Sequence, residues 1–308
     1  MSSSTTFSPR VCVLLSTYNG ARYLKPQLDS LLAQDYPNIV IQVRDDGSSD
    51  STLAILDSYV AQYPTIRVTR GTNVGVARSF FMLLAGADSA ANYFAFCDQD
   101  DAWLPDKISV AVQKLAPAGA HTPALYFSRV EYVDDALHHL RMSTVPRLPG
   151  FGNALVENCA PGCTMLLNPA ARQLILSRLP SSFFVHDSWT YLVVSAFGAL
   201  VFHDVARIKY RQHSSNVFGA VTNPVALVRQ RLKRLRRGQP QEYLAQAQEF
   251  SRLHSDALSP AHKHTLQRFL QCRQGITRRI VYAFTMDTWR QSRVDSLILR
   301  ILILLGYY

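Results

Sequence analysis

Long apolar runs are missing from this chain of 308 residues. None approaches the roughly 18 to 20 residues that a bilayer-crossing helix needs, so a helical membrane span is excluded. The opening "MSSSTTFSPR" has no apolar core, and the first apolar run, Val11 to Leu15, is too short for a signal peptide. Cysteine is scarce: Cys12, Cys97, Cys159, Cys163 and Cys272 are odd in number and include no CxxC. That pattern argues against a disulfide framework or a zinc cluster and for reduced thiols used as small core residues in a reducing compartment. No internal repeat or low-complexity tract is visible. The expected location is the cytoplasm, or the inner face of the plasma membrane without crossing it.

What is present is enough apolar material for a large core, 48% hydrophobic residues against 18% charged, in one large domain or two unequal ones. The net charge of +10 is unevenly placed. Residues 1–223 hold 17 basic and 17 acidic side chains, whereas residues 224–308 hold 15 and 5. The basic tail therefore supplies all of the excess. Such an asymmetry points to an acidic surface, phospholipid or nucleic acid, or else to a solvated helical face.

From Arg10 to about Tyr210, short β-like runs alternate with helical stretches. Strands are expected at 11–16, 39–46, 66–70 and 93–98, and helices at 23–34, 51–63 and 77–87. Strict alternation implies βαβ crossovers, hence an α/β, Rossmann-like fold with a mostly parallel sheet and helices on both faces. Ligands of such sheets bind beyond the carboxyl ends of the strands. Three polar clusters fall there: "STYNG" (16–20), "RDDGSSD" (44–50) and "DQDD" (98–101). After about Thr222 the pattern turns helical, with segments expected at 223–238, 241–258, 259–275 and 292–308, and with Ser259 before Pro260 as an N-cap.

Asp98 and Asp100 are two apart, so in an extended segment both carboxylates leave the same face. Their repulsion is relieved by a hard divalent cation such as Mn or Mg, which takes oxygen ligands and completes its shell with diphosphate. The alternative is an Asp-rich turn before the next helix, where Asp106 competes as the cap. Asp46, at a strand end before Gly47, is placed to accept hydrogen bonds from a nucleobase or ribose. Asn73 and Gly75 form a turn before a helix carrying Arg78, either a phosphate contact or a surface arginine. Asp187, after His186 and before an apolar helix, is either an N-cap or a general base. His213 is a third metal ligand, a phosphate contact or a loop residue.

Six ordered segments over about the first 220 residues resemble the family 2 glycosyltransferases, in their bacterial rhamnosyltransferase-like branch. They are "LLSTYNGARYLKPQLDSLLAQDYPNIVIQVRDDGSSDST" (14–52), "NVGVARSF" (73–80), "FCDQDDAWLPDKI" (96–108), "NCAPGCTMLLN" (158–168), "VHDSWTYLVVSAFG" (185–198) and "YRQHSSNVFGA" (210–220). The resemblance implies a GT-A fold over residues 1–222, with a nucleotide-sugar half at about 10–105 and an acceptor half at about 106–222. It implies an inverting transfer from a nucleoside diphosphate sugar, dTDP-rhamnose or a UDP-sugar, with a divalent cation. Carried over, Ser16, Tyr18 and Asp46 face the nucleoside, Asn73 and Arg78 the ribose and diphosphate. Asp98 and Asp100 are the D-x-D pair, Asp100 the direct ligand, with Asp101 behind them. Asp187 is the base, standing where many relatives have an acidic pair. Gly162, His186 and Trp103 are assigned to the acceptor side. The QxxRW signature of processive synthases is missing, which favours single additions.

Residues 223–308 read as a basic helical region that associates with a membrane or with a second copy. "RQRLKRLRRG" (229–238) and "LILRILILLGYY" (297–308) suit an anionic leaflet, with Tyr307 and Tyr308 at headgroup depth. The other reading packs Leu297 to Leu305 on the catalytic domain or on a second copy. The leaflet reading matches an acceptor on a polyprenyl diphosphate or an unfinished lipopolysaccharide core, the type that the resemblance implies. Two rivals remain. A sugar nucleotidyltransferase also pairs aspartates with a metal but needs a Gly-rich basic loop that "STYNGARYL" is not. A nucleic-acid-binding protein explains the +10 but not the aspartate clusters; no nucleic-acid partner is expected.

Overall fold

Val11 to Leu15 are buried without a break, and their side chains divide between two cores. A strand apolar on both faces requires a layer on each side of its sheet. The computed structural model describes residues 8–181, 185–213 and 239–308 and supplies those layers. Its main sheet has seven strands, ordered β10 (Ala199–His203), β6 (Ala124–Ser128), β9 (Leu166–Leu167), β4 (Tyr93–Cys97), β1 (Val11–Thr17), β2 (Ile39–Asp45) and β3 (Ile66–Arg70). All pairings are parallel except those of β9, which runs antiparallel to both neighbours. The expected α/β class and the four expected strands are found within a residue or two of their predicted ends.

Period-two alternation sorts the core. Val11, Val13, Leu15, Ala95, Cys97, Ala124 and Tyr126 face one side, with α1 (Ala21–Leu32), α2 (Thr52–Val60) and α4 (Lys107–Leu115). Cys12, Leu14, Phe94, Phe96, Leu125 and Phe127 face the other. That side is covered by α3 (Val76–Ala85), α5 (Phe151–Ala154), α6 (Pro169–Ser177) and α7 (His186–Phe197). A smaller sheet of four strands, β5 (Ala102–Trp103), β11 (Ile208–Arg211), β7 (Glu131–Val133) and β8 (His139–Met142), flanks the carboxyl ends of the first. All five cysteines are free and four are buried, as their spacing predicts.

The C-terminal helices do not build a core of their own. Leu244 and Phe250 of α8 (Gln239–His254), Leu266 and Phe269 of α9 (Pro260–Gln271), Tyr282 of α10 (Ile276–Thr285) and Leu299, Leu302 and Ile303 of α11 (Arg293–Leu304) join the cluster holding Phe96 and Trp189. Ser259 caps α9 as expected, its hydroxyl accepting from the His262 N–H at 3.2 Å. Helix α10 lies between the expected segments, and its "ITRRIVYAFT" is rich in β-branched residues of modest helix propensity. Tyr308, expected at a headgroup, is instead buried against Phe269 and accepts from Arg290 at 2.8 Å. The helix expected at 223–238, the basic segment 229–238, the boundary at 222 and residues 214–220 of the last motif lie outside the described residues.

Asn168 ties the end of β9 to the start of β6 and to α6. Its Oδ1 accepts from the Ala171 N–H, capping α6, and from the Ala124 N–H of β6, both at 3.0 Å. Its Nδ2 donates to the carbonyls of Gly119 and Thr122 at 2.8 and 2.7 Å. Asn168→Ala is expected to destabilise the fold by about 2 to 4 kcal/mol, since a cap is lost and a buried N–H is orphaned. Equilibrium denaturant unfolding measures it.

Candidate active site

The polar clusters converge because β1, β2 and β4 are adjacent and parallel, so their carboxyl ends lie side by side. At the end of β2, Asp45 accepts from the Thr17 hydroxyl at 3.0 Å, the Ser48 hydroxyl at 2.6 Å and two backbone N–H groups. Asp46 is buried and paired with Arg44, and its oxygens accept from the N–H groups of Val74 and Gly75 at 3.0 Å. Its carboxylate therefore shapes the Asn73–Gly75 turn, on which Asn73 is exposed, as is Arg78 beyond it. Ser16 shares a hydrogen bond with Ser79 at 2.7 Å, and the Tyr18 side chain stands open to solvent.

Gln99, between Asp98 and Asp100, accepts from the Tyr18 N–H at 2.9 Å and donates to the Tyr18 carbonyl at 3.0 Å. That two-point clamp fixes the loop after β4 to the end of β1. On the far side, the Arg211 N–H donates to Asp101 at 3.2 Å and its Nε to the Asp100 carbonyl at 2.9 Å. His213 stacks on Tyr23 with centroids 4.7 Å apart and places Nε2 at 2.9 Å from the Asp100 carboxylate. The sequence holds Gln99 and Arg211 inside its motifs, but their roles depend on strand pairing across more than a hundred residues and carry no local signal.

Oxygen atoms of Asp98 and Asp101 and the Cys163 sulfur lie within 4.8 Å of one another. Burial, then the neighbouring Asp100 and Asp187 carboxylates, pushes the Asp98 carboxyl well above its ordinary range, and burial with Asp100 and Asp98 does the same to Asp101. A second buried cation besides Arg211, Lys107, is lowered to about 8 by burial and holds its ammonium 3.4 Å over the Trp103 ring. The carboxylates of this cluster are the kind of oxygen ligand that a hard divalent cation takes. The Cys163 thiol, kept protonated by burial, does not suit one.

His186 and Asp187 open α7, one after the other, and face different surroundings. His186 is buried, stacked on Phe80 at 3.9 Å and edge-on to Phe96 at 5.0 Å, with no hydrogen-bond partner among the described residues. Burial lowers its pKa to about 3. Asp187 is not the N-cap, which is Val185, and its Oδ2 accepts from the Gly162 N–H at 3.1 Å. Burial raises its pKa to about 6 against the pull of these bonds. A Cβ at Gly162 would stand 2.7 Å from His186 Nε2 and 3.2 Å from Asp187 Cβ, so glycine there permits the approach of loop to helix. Trp103, assigned to the acceptor side, is in the core, with its backbone N–H donating to the Ser30 hydroxyl at 3.1 Å.

A parallel sheet with acidic strand ends, a flanking small sheet and a helix that presents a carboxylate define a GT-A glycosyltransferase. The family model for Glycosyl transferase family 2 matches residues 12–174, and the chain belongs to that family. The chain is similar to the dTDP-rhamnosyl transferase RfbG of Shigella flexneri, 28% identical over 67% of this chain and 74% of the relative. It is also 26% identical to the uncharacterized glycosyltransferase RT0329 of Rickettsia typhi, over 71% and 69% of the two chains. Among solved structures, S. aureus TarS 1–349 in complex with UDP-GlcNAc superposes with a TM-score of 0.61 at 17% identity, covering 96% of this chain and 87% of that one. The mannosyltransferase PcManGT from Pyrobaculum calidifontis, in complex with GDP-Man and Mn2+, gives 0.56 at 19% identity over 98% and 82%.

His186 carries a pH-dependent cost. Folded, it takes a proton near pH 3; unfolded, near 6.5. Between those values the unfolded state binds the extra proton, so stability falls as pH falls, by up to about 1.4 kcal/mol per pH unit. His186→Phe is expected to melt with a shallower loss across that window than the wild type, measured by thermal unfolding at each pH.

Proposed function

We propose that the protein is an inverting, cation-dependent hexosyltransferase. It moves a sugar, rhamnose first among the choices, from dTDP-rhamnose or a UDP-sugar to a hydroxyl of a growing bacterial surface glycan or lipid-linked acceptor. The observation that carries this reading is Asp187, a carboxylate raised to about 6, oriented by the Gly162 N–H and close enough to Asp98 to raise that group in turn. A base near the working pH combines sufficient ionisation with proton affinity. Asp187 accepts the acceptor hydroxyl proton as that oxygen attacks the anomeric carbon from the side opposite the diphosphate. The preference for rhamnose rests on the likeness to RfbG.

Asp98 and Asp100 would hold the divalent cation, Mn or Mg, with His213 beside Asp100. When bound, the cation neutralises charge on the departing diphosphate. Asp101, tied to Arg211, holds the loop in place behind them. Ser16, Tyr18, Asn73 and Arg78 line the nucleoside and diphosphate side.

Asp187→Asn is expected to lower kcat by about 10²–10⁴ while the calorimetric affinity for donor nucleotide stays within a few-fold. The wild-type rate should rise through a pKa near 6 as Asp187 ionises, and full activity in the variant rules out this base. In thermal shift, UDP or dTDP with Mn2+ at about a hundred times Kd should raise Tm by about 5 °C. Asp98→Asn and Asp100→Asn should abolish that shift. Stabilisation by oligonucleotides alone would support a nucleic-acid-binding protein instead.

A further inference from the structure

Helices α10 and α11 pack against each other, each with two apolar sides. One side is buried in the main core, through Tyr282 and Ala283 on α10 and Leu299, Leu302 and Ile303 on α11. The other is open. On α10, Ile280 and Phe284, one turn apart, are 46% and 72% exposed. On α11, Val294, Leu297, Ile301 and Leu304 are spaced three and four apart, so they form one continuous stripe, and all four are exposed. Exposed apolar stripes of this extent on a soluble domain mark an interaction surface.

Charge selects the partner. Arg293 and Arg300, both exposed, stand one residue before Val294 and Ile301, so they repeat every seven residues beside the stripe. The opposite flank carries Ile298 and Leu305. If a second copy packed α11 against α11 antiparallel, arginine would face arginine; packed parallel, arginine would face Ile298 or Leu305. Neither arrangement gives the guanidinium groups an anion, whereas phosphate headgroups bordering an acyl layer do. No described helix is long and apolar enough to cross a membrane, so the contact is lateral.

We propose that the outward face of the α10–α11 hairpin is a docking surface for an anionic phospholipid bilayer. The hairpin is joined firmly to the acceptor side of the cleft. Its connecting segment donates from Trp289 Nε1 to the Leu148 carbonyl at 2.8 Å and from the Gln291 N–H to Glu157 at 2.6 Å. Asn153 donates back to the Trp289 carbonyl at 3.0 Å. Residues 148–157 lead directly into the loop that holds Gly162 against Asp187. Docking the hairpin therefore sets the distance between the cleft and the bilayer, which suits an acceptor anchored in lipid. The surface itself stands apart from the transferase reading and is tested without turnover.

The full-length protein should co-sediment with vesicles of phosphatidylcholine plus phosphatidylglycerol, more weakly with phosphatidylcholine alone, and be released by salt. Phe284→Glu with Leu297→Glu should weaken that binding at least about tenfold, and Arg300→Gln by less. Both variants should keep the wild-type melting curve and the metal-dependent nucleotide shift, which reports on the cleft separately. Equal vesicle binding by wild type and the double variant overturns the proposal, as does no binding at all. A wild-type dimer in light scattering that the double variant converts to monomer, without vesicle binding, assigns the face to a second copy.

Discussion

Asp98, Asp100 and Asp101 leave the end of a strand whose other residues are apolar, and burial together with their acidic neighbours raises the proton affinity of Asp98 and Asp101. Much of the surrounding structure manages that repulsion. Gln99 clamps the loop to β1, Arg211 grips it from β11, His213 sits on Asp100, and Lys107 is buried beneath it. Burial beside acidic neighbours favours the protonated forms of Asp98 and Asp101 in the empty loop. A carboxylate cluster in that state is suited to the cation-holding role proposed for it.

The same economy explains α7. Adjacent residues are tuned in opposite ways by burial: His186 is kept neutral by a wall of phenylalanines, and Asp187 is raised toward the working range of a base. Two polar groups in one helical turn thus divide into an aromatic-like packing unit and a carboxylate raised to about 6. Gly162 makes this possible by letting a backbone N–H come close enough to orient the carboxylate.

The C-terminal helices serve the catalytic sheet by covering it. Leu244, Phe250, Phe269 and Ile303 close the face on which Phe96 and Trp189 lie, so the region is a third layer of one core. Its second apolar side, on α10 and α11, has no such duty, and its flanking arginines give it a chemical identity distinct from the balanced charge of the first 223 residues.

The order of strands and helices through β4, the polar clusters at three strand ends and the Asp-x-Asp pair were legible in the sequence, because local periodicity and residue type carry them. So was the position of Asp187 at the start of an apolar helix. The sharing of one core by the C-terminal helices, the burial of Trp103, His186 and Tyr308, and the existence of α10 were not, since each depends on what packs against the segment. Asp46 shows the division at a single residue: sequence put it at the strand end, and the fold turned its carboxylate toward Val74 and Gly75. Sequence alone thus determined the family and the sheet edge along which the polar clusters fall. Tertiary structure decided which atoms meet there, because Gln99, Arg211 and Gly162 reach their partners only after strands distant in sequence have paired.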